Sequence, residues 1–175
     1  IEQFLLLLVL LLIVTQFMVY FPGLKFLTIV GMGCLALIYF YFGFALFNAI
    51  AFRKIWQKAS YQKVSKRQIL LGILGGIGLS LALTGIGFKL FFWPGSGSLR
   101  FLGILLLITA IAMYAASKPG NSMRGRNALV IRAVLIGGMA IGLFLVPDSI
   151  LFKTLHIPEV EETPTEQSAV IDEVS

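Results

Sequence analysis

The chain has 175 residues, 58% of them apolar and 13% charged, with a mean hydropathy of +0.95; soluble domains run at about 45–50% apolar and about 25% charged. That balance excludes an ordinary water-soluble enzyme. The net charge of +6 hides two unlike parts: residues 1–147 carry thirteen Lys and Arg against Glu2 alone (+12), whereas residues 148–175 carry Lys153 against seven acids (−6).

A bilayer crossing needs about 20 mostly apolar residues, and five stretches qualify: 3–21, 24–52, 69–92, 99–116 and 128–147. The expected fold is an all-α integral membrane protein, with a transmembrane bundle over 1–147 and an acidic, flexible extracytoplasmic tail over 148–175. The first stretch has an apolar run from Phe4 to Val14 without a basic segment ahead of it or a small-x-small cleavage site behind it, so it reads as a retained span. The second is long enough to tilt, and its last turns, through Phe52, are expected to continue into a basic segment. That segment carries Arg53, Lys54, Lys58, Lys63, Lys66 and Arg67.

The connection 117–127 is also basic, with Lys118, Arg124 and Arg126, and Arg132 stands one turn further on, within snorkelling reach of the headgroups. If the two intervening stretches both cross, these connections share one side, which the positive-inside rule makes cytoplasmic. The N-terminus is then inside and the acidic tail outside. Trp56 and Trp93 fall at opposite interfaces, as an aromatic belt requires. The basic segment reads first as a determinant of topology, with an anionic-lipid site or a partner surface as its alternatives.

Inside the spans, Gly72, Gly76, Ser80 and Thr84 recur every four residues, and Gly138 and Gly142 repeat the device in the fifth span. Small-xxx-small faces let membrane helices approach closely, because lipid supplies no hydrophobic drive for association. The expectation is internal packing of spans three and five, with a homo-oligomer or a partner subunit as the alternative. Asn48, near the end of span two, has the amide to hydrogen-bond across helices.

Residues 77–94, IGLSLALTGIGFKLFFWP, align without gaps on residues 141–158, IGLFLVPDSILFKTLHIP, with identities that include Phe88/Phe152, Lys89/Lys153 and Pro94/Pro158. A weaker copy surrounds Pro22-Gly23, whose spacing to Gly31 equals that from Pro94-Gly95 to Gly103. The pattern describes a membrane exit. Phe88 stays at the boundary, Lys89 reaches the headgroups, Trp93 lies in the interface, Pro94 stops the helix and Gly95 turns the chain. Repetition at this spacing points to a duplicated helical hairpin.

Residues 88–107, FKLFFWPGSGSLRFLGILLL, resemble the FK-x-x-HWPGA-x-x-L-x-x-x-G hairpin of GldL/PorL, the inner-membrane subunit of the gliding-motility and type 9 secretion motor of Bacteroidota. The copy FKTLHIP keeps that family's histidine as His156. The resemblance covers about twenty residues and implies a small, multi-pass inner-membrane protein of that lineage. Family members are thought to couple proton flow through a carboxylate in a span. Here the spans hold none beyond Glu2 at the start, so the hairpin carries over and proton conduction does not.

Other chemistry is thinly supported. The lone Cys34 excludes an intrachain disulfide, a metal site lacks ligands, and the glycines of span three precede no Lys-Ser or Lys-Thr that would make a phosphate loop. A Ser–Lys hydrolase using Ser96 or Ser98 with Lys89 would need a neutral lysine beside the headgroups. Nucleic-acid binding wants a solvated basic face that this chain does not offer. The sequence therefore points to a protein that is not an enzyme, without cofactor or metal: an accessory or scaffold subunit of an inner-membrane complex. A small transporter or lipid-handling protein, or a motor-type ion-conducting subunit, are the alternatives. Its expected partners are the bilayer and a membrane protein or second copy, and the tail's apolar Ala169, Val170, Ile171 and Val174 leave room for a segment that orders on such a partner.

Overall fold

A computed structural model describes residues 2–18, 22–48, 50, 52–57, 60, 62, 64–116 and 123–154. Its elements are α1 (Glu2–Met18), α2 (Pro22–Phe47), a single 3-10 turn at Phe52–Lys54, α3 (Lys66–Leu90), α4 (Ser96–Ala115), α5 (Met123–Leu145) and α6 (Asp148–Thr154). Three segments, Gly23–Phe47, Lys66–Leu90 and Ser96–Ala115, are long and apolar enough to cross a membrane, while Glu2–Met18 and Leu129–Leu145 are apolar but shorter. The second span is shorter than its hydropathy predicts. It ends at Phe47, where Asn48 turns the chain, and Phe52 belongs to the separate 3-10 turn.

α3 is the central helix. It packs on α2, α4 and α5, whereas α1 lies chiefly on α2. Successive helices run antiparallel: Gly43 meets Gly76 while Met32 meets Gly87, and Gly103 meets Ala82 while Arg100 meets Gly85. The 50–65 connection and the start of α5 consequently share one end of the bundle. The hairpin around Trp93 and the α5–α6 corner share the other.

Local sequence explains the helix limits. Ser65 starts α3 as a capping box: its hydroxyl accepts from the Gln68 amide at 3.2 Å, and Gln68 Oε1 accepts from the Ser65 amide at 3.0 Å. Pro22 occupies the first position of α2, where a missing N–H costs nothing. Pro147 ends α5 after Leu145, and α6 starts at once with Asp148.

Glycine sets the spacing of the core. A Cβ on Gly43 would stand 2.6 Å from the Gly76 Cα, and one on Gly76 would stand 2.5 Å from the Tyr39 carbonyl oxygen. α2 and α3 therefore touch backbone to backbone. Gly103 holds α4 equally close to Ala82. Around these contacts Leu35, Leu71, Leu79, Leu83, Ile86 and Ile136 are fully buried. On α1, Phe4, Leu7, Leu11, Val14 and Met18 form an exposed stripe at alternating spacings of three and four, the period of one helix face. A surface this apolar matches lipid rather than water.

The small residues of α3 and α5 sit in different surroundings. Gly72 and Gly76 are buried, but they face Phe44, Gly43 and Tyr39 of α2 rather than span five. Ser80 is buried beside them. Gly138 and Gly142 are exposed with open space where a side chain would go, and it is Gly137 that faces Leu107.

Candidate functional site

The bundle places charged side chains together at two levels. At the hairpin that joins α3 to α4, α3 stops within one turn: the amides of Phe91, Phe92 and Trp93 donate to the carbonyls of Gly87, Lys89 and Phe88 at 3.0, 3.3 and 2.7 Å. Phe92 takes a left-handed backbone (φ 56°) and Gly95 a second one (φ 85°). Glycine adopts that conformation freely; a phenylalanine there costs about 1–2 kcal/mol. The turn sets Trp93 edge-on against Phe88, with ring centroids 5.2 Å apart, and beside Phe91 at 6.2 Å. Trp93, Pro94 and Gly95 are exposed.

Behind this turn Lys89 Nζ donates to Oδ1 of Asp148, the first residue of α6. Both line an open cup of about 400 Å³ together with Phe92, Trp93, Gly95, Ser96 and Gly97. Lys89 thus meets a carboxylate rather than the hydroxyl of Ser96 or Ser98. Deeper in, Arg100 is only 4% exposed: its Nε donates to the Ser96 carbonyl at 3.2 Å and its guanidinium lies 5.4 Å from the centre of the Phe144 ring. Gly85 clears the space for its stem.

The second copy of the hairpin motif takes a different course. Where α3 runs unbroken through 77–90, the aligned stretch breaks at Pro147 and re-forms as α6. Residues 148–154 are therefore helical rather than the start of a flexible tail, and Leu151 is buried in the core. The side chains of Phe152 and Lys153, and all of Pro158 and His156, lie outside the described residues. Gly31 and Gly103, at equal distances after Pro22-Gly23 and Pro94-Gly95, each face a neighbouring helix, Gly31 against Val9 and Gly103 against Ala82.

The second charged level lies inside the bundle, toward the end that carries the basic segment. Glu2 is 5% exposed and fully engaged: Arg132 Nε donates to Oε1 at 2.6 Å, Arg132 Nη2 to Oε2 at 2.5 Å, and the Tyr39 hydroxyl to Oε1 at 2.8 Å. Arg132 is itself buried and sits 5.9 Å from the centre of the Phe47 ring. The expectation that Arg132 snorkels is thus corrected. A carboxylate within reach satisfies two guanidinium donors in a planar fork, which open headgroups do less specifically. Glu2, read as a flank of the first span, is a buried interior group. Tyr39 stands eight residues before the end of α2, about 12 Å along the axis, so the cluster lies well within the bundle's thickness.

Of the basic segment, Arg53, Lys54, Lys66 and Arg67 are exposed, and Trp56 beside them is 94% exposed; Lys58 and Lys63 lie outside the described residues. Asn48 donates to the carbonyls of Phe44 at 2.6 Å and Gln68 at 3.2 Å, tying α2 to α3 as its amide suggests. Among the described residues no three His, Cys, Asp or Glu side chains gather into a metal site. The Glu2–Arg132 pair was missed although a signal existed. Arg132 is a lone charge within an apolar run, and Glu2 is the single acid before Asp148. A buried arginine demands a partner, and there was one candidate.

Comparison with known protein families, with characterised proteins and with solved structures finds no match to this chain.

Proposed function

We propose that this protein is a non-enzymatic accessory or scaffold subunit of a bacterial inner-membrane complex. In this reading it crosses the membrane five times with its N-terminus inside, and it presents the Trp93 hairpin and the acidic tail outside. The motif resemblance associates it with gliding motility or type 9 secretion.

One observation carries the choice of a static role. The interior carboxylate has both oxygens held by Arg132 and one also by Tyr39. A proton relay needs a carboxyl group that changes charge and partner, whereas a carboxylate clamped in a buried fork holds helices in register. The exposed basic residues at the opposite end support the orientation through the positive-inside rule.

A motor-type ion conductor is the second reading, favoured by the burial of Glu2 inside the bundle. Purification in mild detergent, followed by reconstitution, separates the two. A scaffold co-purifies with a partner at fixed stoichiometry and gives no flux alone. Proton flux from the chain alone that disappears in Glu2→Gln would establish the conductor.

A further inference from the structure

Two concavities meet at Trp93. One is the polar cup at the hairpin, which Trp93 lines with Lys89 and Asp148. The other is an apolar groove of about 150 Å³ between α2 and α3, lined by Met32, Gly33, Leu83, Gly87, Phe88 and Trp93 among others. Phe88 and Lys89, consecutive in sequence, line the groove and the cup respectively. We propose that together they hold one zwitterionic phospholipid of the phosphatidylethanolamine type, an acyl chain in the groove and the headgroup in the cup.

The chemistry follows the order of such a lipid along the membrane normal. The groove offers no free hydroxyl, because Thr84 Oγ1 donates to the Ser80 carbonyl at 2.9 Å. An acyl chain asks for such a lining. From Leu83 to Phe91 is eight residues, about 12 Å of helix against the roughly 15 Å hydrocarbon depth of one leaflet. Above it comes Lys89, whose side chain is only 12% exposed, level with a lipid phosphate. Ser96 and Gly97, which open α4, line the same cup as Lys89, and the cap residue Gly95 offers their amides no side-chain acceptor. Outermost is Asp148, with its side chain 62% exposed, level with the terminal ammonium.

Lys89 and Asp148 pair with each other at the mouth of the cup. Insertion of the lipid exchanges that pair for two, ammonium with Asp148 and phosphate with Lys89, so each charge keeps an opposite neighbour. An anionic lipid with a neutral alcohol head leaves Asp148 beside its phosphate, which is repulsive. The cup therefore selects for the zwitterion.

Native mass spectrometry of the full chain in detergent, titrated with phosphatidylethanolamine or phosphatidylglycerol of identical acyl composition, tests this. The ethanolamine lipid is expected to be retained roughly fivefold better, the scale of one partly exposed charge contact. Asp148→Asn brings the two lipids level, and Lys89→Ala weakens both. Gly33→Leu fills the groove from a position with nothing within 4 Å, so the fold is kept while retention of both lipids falls. Equal or stronger retention of phosphatidylglycerol by the unmodified chain overturns the proposal, as does undiminished retention by Gly33→Leu with unchanged helicity.

Discussion

Replacing Arg132 by Met strands the Glu2 carboxylate inside the bundle with one remaining donor among the described residues, the Tyr39 hydroxyl. Both partners are more than nine-tenths buried, the setting in which losing one member of an ion pair costs about 3–5 kcal/mol. Glu2→Leu strands the guanidinium instead and should cost a similar amount. The double variant removes both charges and keeps apolar bulk, a methionine chain replacing the Arg132 stem over Phe47 and a leucine replacing Glu2 beside Tyr39; such replacements are neutral or stabilising by about 1–4 kcal/mol. The double variant should therefore unfold within about 1 kcal/mol of the parent or later, giving a coupling energy of at least about 5 kcal/mol. Equilibrium unfolding in mixed detergent micelles, followed by tryptophan fluorescence, measures all four corners of the cycle. If the double variant loses the sum of the single losses, about 6–10 kcal/mol, the two charges act independently and the clamp does not exist.

Gly43→Ala and Gly76→Ala force apart backbones already in contact and should each cost about 1–3 kcal/mol. Gly138→Ala and Gly142→Ala meet nothing and should leave stability equal or up to about 1 kcal/mol higher; thermal melts in detergent compare the four. In a Cys34→Ser background, Ser98→Cys should react with an impermeant maleimide on intact cells and Gln62→Cys only after permeabilisation, and reaction of both from one side would refute the orientation. Lys89→Ala removes the contact that ties α6 to α3. Because one partner is exposed, the global loss should stay under about 1 kcal/mol, while amide exchange at residues 148–151 accelerates.

Hydropathy was enough to place the helices within a few residues, because an apolar run of that length has few other fates. Ser65 and Gln68 write the start of α3 in the sequence, and Pro94 its exit. The glycine pattern was only half legible. Gly72 and Gly76 face α2, yet Gly75 faces Leu129 and Gly78 faces Leu107, so a helix surrounded on three sides needs small residues on more than one stripe. A search for one i, i+4 face finds one neighbour and misses the others. Gly138 and Gly142 repeat the same spacing on a face that none of the described residues covers, so spacing alone does not show whether a neighbour is present. Asp148 read as the start of a tail because the run of acids begins with it, whereas Leu151 folds back into the core and brings Asp148 to Lys89. The partnership of Glu2 with Arg132 depends on the ring of helices closing, which periodicity within one helix does not report; the signal lay in charge alone, a lone arginine in an apolar run and a single acid to meet it.

The fork between Glu2 and Arg132 joins residues 130 positions apart. At synthesis rates of about 5–20 residues per second, the ribosome needs roughly 7–26 s to travel that distance. For all of that interval the acid has been made and its counter-ion has not. Until α5 has been made, α1 carries its carboxylate without the fork that neutralises it, so the clamp closes only after α1 to α4 have all been synthesised.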